Sequence, residues 1–336
     1  MTAGCDLKEA SYKVGNHSDD ELWAAFSRVF SGQSKNTSSY KYGFLKAILD
    51  NLYNVDEDLK LTFDQLFGKF TEIYWNLILK YQLKQMAHSK NSKGTLLEQI
   101  LKDAEEKYCI PTSTPYESLQ PTMMFDIEHQ VKMKCKEYVV GALFADTNAL
   151  FYSFSKRKEW IQINPVMFSF ICKHKVMIEK LNYYEWARFL EKVNMTSQSL
   201  NLLTKIDESS KRSNLEYYRK ILFEEFESHT CFYCGKELKK DHIHVDHFIP
   251  WSFVKDDNLW NFVLACPECN LRKSSRLPDK GYLDRIVMRN EKLIGVKDLS
   301  ELPDMDNYQK DRLIHIYDWA QMNGYDRTWK SVRADW

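Results

Sequence analysis

The sequence predicts an α+β protein with a mainly helical N-terminal domain, a small cysteine-containing module with a strand-like segment, and a helical C-terminal extension. Apolar residues recur at helical spacing through most of the first 200 residues and again after residue 280. Between these regions, two CxxC pairs enclose a strand-like segment, HVDHFIP. We therefore expect domains at residues 1–200, 201–280 and 281–336.

The first helices of the N-terminal domain carry recognisable start signals. Ser18 precedes three acidic residues and an apolar pattern that lasts until Gly32, which predicts an N-cap and a helix stop. A second helix is predicted to begin at Ser38 or Ser39. The segment from Thr62 to Met86 has a long amphipathic pattern without proline, which predicts a central helix.

The rest of the N-terminal domain is predicted to contain one hairpin and two further helices. Aromatic and β-branched residues flank a charged turn between Ala149 and Asn164, a pattern typical of a hairpin. One helix is expected to end near Leu181 and another to run from Tyr184 to Val193. The polar stretch that follows marks the predicted domain boundary.

The bulk composition is that of an ordinary globular protein. Of the 336 residues, 44% are hydrophobic and 28% are charged, and Lys plus Arg equals Asp plus Glu at 47 each. No apolar run approaches the roughly 18 residues that a transmembrane helix needs, so no membrane contact is expected. The N-terminus lacks the pattern of a secretory signal, and we expect a cytoplasmic protein with reduced thiols.

The eight cysteines divide into two classes by spacing. Four stand singly in apolar or helical segments and are expected to be small buried hydrophobes. The other four form two CxxC pairs roughly thirty residues apart: Cys231, Cys234, Cys266 and Cys269. In a reducing compartment this spacing indicates a tetrahedral zinc site rather than disulfides.

The segment from Cys231 to Lys273 combines these pairs with other polar residues in a fixed order. Asp246 and His247 lie in the strand-like segment, Asn261 stands five residues before the second CxxC, and Asn270 follows it directly. This arrangement resembles the HNH endonuclease family, whose fold is a ββα-metal module. The resemblance implies a structural zinc ion on the four cysteines.

The resemblance also assigns roles that chemistry makes reasonable. Phosphodiester hydrolysis needs a base for water and a Lewis acid on the phosphate. His247 is the expected general base, because an imidazole titrates near working pH. Asp246 and Asn270 are hard oxygen ligands, which suits Mg²⁺ or Mn²⁺. Following the family, Asn261 would bond within the loop and fix the orientation of His247.

The two neighbours Asp246 and His247 would point to opposite faces of a regular strand. A shared metal site therefore requires the chain to turn there, which the nearby Pro250 favours.

Further basic residues and histidines flank the motif. Arg272, Lys273 and Arg276 are candidate contacts for nucleic-acid phosphate, with a solvated charged surface as the alternative. His242 and His244 alternate along the strand and are expected to be exposed, or else auxiliary site residues.

The sequence has three rival interpretations. A zinc deaminase needs HxE followed by PCxxC, and this chain lacks the glutamate in its sequence His244-Val245-Asp246. A non-catalytic zinc ribbon that binds nucleic acid would need only the four cysteines and leaves Asp246 and His247 unexplained. An RNA-directed HNH nuclease stays open, although the family favours double-stranded DNA as substrate.

The N-terminal domain matches no family by its residues. Proteins that join a helical region to a C-terminal HNH module are commonly bacterial restriction or anti-phage nucleases, which is an analogy. The domain could read DNA, sense an infection signal through a partner protein, or form a homodimer that places two sites on opposite strands.

Overall fold

The computed structural model divides the chain into two compact units, Met1–Lys211 and Arg212–Trp336. The structure describes residues 4–31, 34, 36–87, 94–194, 201–210, 215–224, 229–239, 242–296, 302, 304–306 and 308–332. Within this part of the chain, no helix is long and apolar enough to cross a membrane.

Helices dominate the first unit. They are α1 (Asp19–Phe30), α2 (Tyr40–Asp50), α3 (Phe63–Trp75), α4 (Leu96–Lys107), α5 (Pro121–Asp146), α6 (Pro165–Val193) and α7 (Leu202–Asp207). As predicted, Ser18 caps α1, and Glu21 completes a capping box, which contributes about 0.5–2 kcal/mol. Helix α2 is buried along its whole length and lies at the centre of the unit.

The predicted central helix exists but ends earlier than expected. Helix α3 continues into a π-helical turn at Asn76–Lys80 and stops there, six residues before Met86. The amide of Asn76 donates to the Ser209 carbonyl at 3.1 Å, and its carbonyl oxygen accepts the Tyr116 backbone N–H at 3.3 Å. These bonds tie the turn to the rest of the unit where the helix changes its hydrogen-bond pattern.

The prediction of two helices around residue 182 was wrong, because α6 runs unbroken through it. No proline or glycine lies between Val166 and Val193. The side chain of Asn182 is buried and donates to the Tyr42 carbonyl of α2 at 3.0 Å. This polar residue is therefore a buried contact between two helices.

The expected hairpin is confirmed and forms the middle of a small antiparallel sheet. Its strands are β1 (Glu9–Ala10), β2 (Lys60–Thr62), β3 (Tyr152–Ser155) and β4 (Trp160–Ile163), in the order β1-β3-β4-β2. Strands β3 and β4 pair from Tyr152 with Ile163 to Ser155 with Trp160.

The second unit holds the cysteine pairs and is built around one hairpin and one helix. Its elements are α8 (Glu216–Glu224), β5 (His244–His247), α9 (Trp251–Val254), β6 (Phe262–Ala265), α10 (Pro267–Lys273), α11 (Leu283–Val296) and α12 (Lys310–Met322). Strands β5 and β6 are antiparallel, and α10 follows β6 directly. The architecture is therefore α+β, with the ββα module in a C-terminal unit and helices after it.

The module has a small core of aromatic and aliphatic side chains. Phe253, Trp260, Phe262 and Leu264 are buried, whereas Trp251 is only half-buried beneath the Lys255 ammonium. The later helices pack on this core, since the Tyr317 hydroxyl donates to the Pro278 carbonyl at 2.7 Å.

Candidate active site and cysteine cluster

The four paired cysteines converge on one point. Their sulfur atoms all lie within 4.8 Å of one another, and the Sγ atoms of Cys234 and Cys266 are 3.9 Å apart. Two sulfurs bound to one tetrahedral zinc ion at about 2.3 Å would be roughly 3.8 Å apart. The cluster therefore has the donor type and the spacing that zinc requires.

A helix N-terminus and a tight turn hold these sulfur atoms in position. Cys266 is the N-cap of α10, and its Sγ accepts the backbone N–H of Cys269 at 3.5 Å. The first pair lies in a turn closed by the Gly235 N–H, which donates to the Cys231 carbonyl at 2.9 Å. Burial raises the pKa of Cys231 to about 11, so a metal ion must compete with protons for this sulfur.

A C-terminal segment packs against the cluster, which the sequence spacing did not reveal. The backbone N–H of Trp329 donates to the Leu277 carbonyl, and the Trp329 carbonyl accepts the Asp279 N–H, both at 2.7 Å. Its ring packs edge-on against Tyr233 at 5.2 Å. The Ser331 hydroxyl lies 3.9 Å from the Cys269 sulfur. The segment from Trp329 to Ser331 therefore belongs to the folded cysteine module.

Asp246 is a buried carboxylate in the middle of β5. It accepts the Tyr233 hydroxyl at 2.6 Å, and the Lys273 ammonium lies 3.1 Å from the carboxylate. Burial and the nearby Asp246 charge raise the pKa of Tyr233 well above its usual value, so the phenol stays protonated and donates.

Lys273 lies in a different place from the one the sequence suggested. It was expected on the surface as a phosphate contact, but its residue is 0% exposed. Besides Asp246, its ammonium donates to the His247 carbonyl at 2.7 Å. Because its charge is already matched by a buried carboxylate, Lys273 belongs to the interior of the site. Arg272 and Arg276 are exposed, and Arg272 pairs with Glu268 at 3.2 Å.

Asn270 and His244 face each other from helix and strand. The amide Nδ2 of Asn270 lies 2.9 Å from Nδ1 of His244. Residues 270 and 273 share one face of α10, and residues 244 and 246 share one face of β5. The two contacts, Asn270 with His244 and Lys273 with Asp246, therefore form one ladder between helix and strand.

His247 has a partner that the sequence analysis missed. Its Nε2 lies 2.7 Å from Oδ1 of Asp257, and both residues are buried. The imidazole also packs edge-on against Phe262, with ring centroids 4.6 Å apart. Because a carboxylate only accepts, Nε2 carries a proton in this contact, and in the neutral imidazole the lone pair is then on Nδ1. No spacing rule marks Asp257, since it lies in a loop ten residues further on.

Asn261 holds the backbone beyond His247 rather than the imidazole. Its side-chain oxygen accepts the Ile249 N–H at 2.8 Å, and its amide donates to the Ile249 carbonyl at 2.9 Å. Its own carbonyl accepts the Phe248 N–H at 2.7 Å. The loop that follows β5 is thereby fixed to the start of β6.

The strand stays regular through Asp246 and His247. Asp246 pairs with Val263 and His247 pairs with Phe262, so their side chains leave the strand on opposite faces. The expected turn between them is absent from this described strand, so Asp246 and His247 do not share one metal site. Asp246 joins His244, Asn270 and Lys273 on the helix side, while His247 joins Asp257 and Phe262 on the other.

A second acidic group supports the Asp257 loop. The Tyr218 hydroxyl lies 3.1 Å from the Asp257 carbonyl and 2.9 Å from the Asp304 carboxylate. Burial, with Asp256 and other acidic neighbours, raises the pKa of Asp304 to about 6. Helix α8 thus reaches the loop that holds the partner of His247.

The donors on the helix side of β5 suit a hard divalent cation. Asp246 offers carboxylate oxygens and Asn270 an amide oxygen, and both atom types are preferred by Mg²⁺ and Mn²⁺. Two protein ligands leave room for water and phosphate oxygens, as is usual for Mg²⁺ sites.

A two-stranded hairpin and a helix that present such donors, beside a four-cysteine cluster, define the ββα-metal class of module. Residues 231–279 match the family model of HNH endonucleases. The match covers this module alone, and no curated protein and no solved structure matches the chain. The segment resembles HNH endonucleases, and the match indicates a nuclease.

Proposed function

We propose that this protein is a metal-dependent endonuclease that hydrolyses phosphodiester bonds of DNA. The observation that carries the proposal is the His247–Asp257 pair at the end of β5, one residue from the buried Asp246. A zinc ribbon that only binds nucleic acid would have no use for a buried imidazole–carboxylate pair. The four-cysteine cluster would hold zinc as a structural staple, because a module this small gains folding energy from the metal.

Each residue of the proposed site then has a distinct task. A Mg²⁺ or Mn²⁺ ion held by Asp246 and Asn270 would supply Lewis-acid chemistry at the scissile phosphate. His247 takes the proton of the attacking water on Nδ1, because Nε2 already donates to Asp257. Asp257 fixes this tautomer and stabilises the imidazolium that forms.

Neighbouring residues position this machinery. Lys273 donates to the His247 carbonyl and matches the Asp246 charge, so it ties the base to the metal ligand. Asn261 fixes the loop after His247 through Ile249. Arg272 and Arg276 are exposed beside the site and would contact the nucleic-acid backbone.

Double-stranded DNA is the substrate that the HNH resemblance favours, with RNA as the alternative. A role in restriction or anti-phage defence is a further hypothesis, supported by the order of a helical unit before a nuclease module. The first unit would then supply recognition, sensing through a partner protein, or homodimer formation.

The proposal is tested by incubating the zinc-loaded protein with plasmid DNA and with structured RNA. Each substrate is tested without added metal, with Mg²⁺ and with Mn²⁺. We expect metal-dependent nicking or linearisation of DNA, with 5′-phosphate ends. Cleavage of RNA alone would move the substrate class to RNA. Nucleic-acid binding without cleavage in any metal would favour the zinc-ribbon alternative.

A further inference from the structure

His244 lies where a third ligand of the proposed cation site would lie. It shares one face of β5 with Asp246, two residues further on. Its Nδ1 is 2.9 Å from the side-chain amide of Asn270. His244 thus stands beside both proposed ligands, and its side chain is exposed at the open side of the site.

We propose that His244 is a nitrogen ligand of this site and makes it favour Mn²⁺ over Mg²⁺. This inference rests on the proposed function, because it concerns the same cation. An amide nitrogen only donates, so Nδ1 presents its lone pair toward Asn270. The oxygen and nitrogen of an asparagine amide exchange places by a simple flip. The Asn270 oxygen and the His244 lone pair can therefore face the same ion.

The separation of the two groups agrees with shared coordination. Neighbouring ligands of an octahedral ion at about 2.1 Å lie roughly 3.0 Å apart. The observed separation between Asn270 Nδ2 and His244 Nδ1 is 2.9 Å. After the amide flip, these two side chains have the separation of neighbouring ligands of one cation.

A third ligand would strengthen cation binding at a site whose negative charge is partly neutralised. The negative charge of Asp246 is partly neutralised by the buried ammonium of Lys273, which lies 3.1 Å away. One carboxylate in this state attracts a cation less strongly than an unpaired carboxylate would. A neutral imidazole adds a strong donor without adding charge. Carboxylate, carbonyl and water oxygens suit both ions, but Mn²⁺ is a transition metal that accepts an imidazole nitrogen more readily than Mg²⁺ does.

A competing role for His244 is to hold the Asn270 side chain without touching the ion. Electron spin echo spectroscopy of bound Mn²⁺ separates the two roles, because a directly bound imidazole produces a ¹⁴N modulation. A histidine that only orients Asn270 produces none. The readout is independent of cleavage.

The experiment titrates Mn²⁺ and Mg²⁺ into the zinc-loaded full chain by calorimetry. It compares wild type with His244→Ala, His244→Asp and the matched control His242→Ala, an exposed histidine two residues earlier. We expect His244→Ala to weaken Mn²⁺ binding by at least about tenfold, since even outer-shell partners of a metal are worth 10–100-fold. Mg²⁺ binding should weaken less, and His242→Ala should match wild type.

His244→Asp supplies an oxygen in place of the nitrogen, so it should bind Mg²⁺ more tightly than His244→Ala. It should also lose the ¹⁴N modulation. Unchanged Mn²⁺ affinity in His244→Ala, or a wild-type spectrum without that modulation, would overturn this inference alone. Failure of wild type to bind either ion would overturn the proposed cation site as well. Zinc content, measured in every variant, shows that the fold is retained.

Discussion

At the scale of single residues, the pairing of His247 with Asp257 decides which nitrogen can act. The 2.7 Å contact holds the proton on Nε2, and Phe262 limits rotation of the ring. A base that accepts a proton on Nδ1 becomes an imidazolium whose charge lies beside a carboxylate. The cost of forming that charge in a buried place is thereby reduced.

Replacement of Asp257 by Asn should therefore lower kcat by about 10²–10⁴-fold with little change in KM, because the amide lets the wrong tautomer form. The neighbouring Asp256→Asn is the matched control, since its side chain bonds the Asp257 backbone N–H at 2.9 Å and not the imidazole. Steady-state kinetics measure the split between kcat and KM, and ¹⁵N NMR of the histidine ring reports the tautomer. A fully active Asp257→Asn protein would refute the positioning role.

Asp304 makes the stability of the second unit depend on pH. Its pKa of about 6 lies above the ordinary value of 3.8, so the folded state binds the proton more tightly than the unfolded state. Stability from this group is present at low pH and is lost as the pH rises through about 6. Asp304→Asn should therefore stabilise the unit by about 2–3 kcal/mol more at pH 7.5 than at pH 4.

Denaturant unfolding of Asp304→Asn and wild type at both pH values checks this expectation. Asp311→Asn, at an exposed position on α12, is the control and should show no such difference. An equal effect of Asp304→Asn at the two pH values would count against the buried, protonated carboxyl.

At the scale of elements, the cysteine spacing and the order of polar residues were enough to predict the ββα module. The CxxC pairs converge as expected because the first pair lies in a turn and the second pair lies at the start of α10, directly after β6. The interior contacts were not predictable in the same way. Asp257 comes from a loop and Ser331 from the chain end, and neither has a fixed distance along the sequence from its partner.

Two errors at this scale have clear physical causes. A lysine beside two arginines suggested a basic surface, but helical spacing turns Lys273 inward toward Asp246 while Arg272 and Arg276 face solvent. A helix end was expected near Leu181, yet α6 continues through this point, where the buried Asn182 amide donates to the Tyr42 carbonyl. In both places a buried partner distant in sequence outweighed the local pattern.

Removal of one sulfur should show what the cysteine cluster contributes. Cys231→Ser should lose zinc and destabilise the second unit by several kcal/mol, because structural zinc contributes about 10–16 kcal/mol in isolated zinc-finger peptides. Cys109→Ser, at an exposed single cysteine, is the control and should retain zinc. Metal analysis and thermal unfolding measure both effects. A Cys231→Ser protein with wild-type stability would rule out a structural staple.

At the scale of the whole molecule, the chain has two compact units that differ in how they are stabilised. The first unit has a large helical core around α2, whereas the second has a small hairpin, a helix and the cysteine cluster. The sequence predicted the helical character of the first unit from its periodicity. It gave no function for it, because a packed helical core leaves no chemical signature in the residue order.

Calorimetry should therefore resolve two unfolding transitions that respond differently to a zinc chelator. We expect the chelator to lower the midpoint temperature of the second unit's transition alone, since the four-cysteine cluster lies in that unit. Variants in which the tryptophans of one unit are replaced report only on the other unit, so their fluorescence assigns each transition to a unit. A chelator that shifts both transitions equally would show that the units do not unfold independently.

The central claim is that His247 acts as the base of a metal-dependent nuclease. The most direct measurement is plasmid cleavage by wild type, His247→Ala and His242→Ala, each zinc-loaded and supplied with Mn²⁺ or Mg²⁺. We predict that His247→Ala keeps its fold and zinc content but loses cleavage by at least about 10²–10⁴-fold, while His242→Ala cleaves like wild type. Full cleavage by His247→Ala would contradict the account.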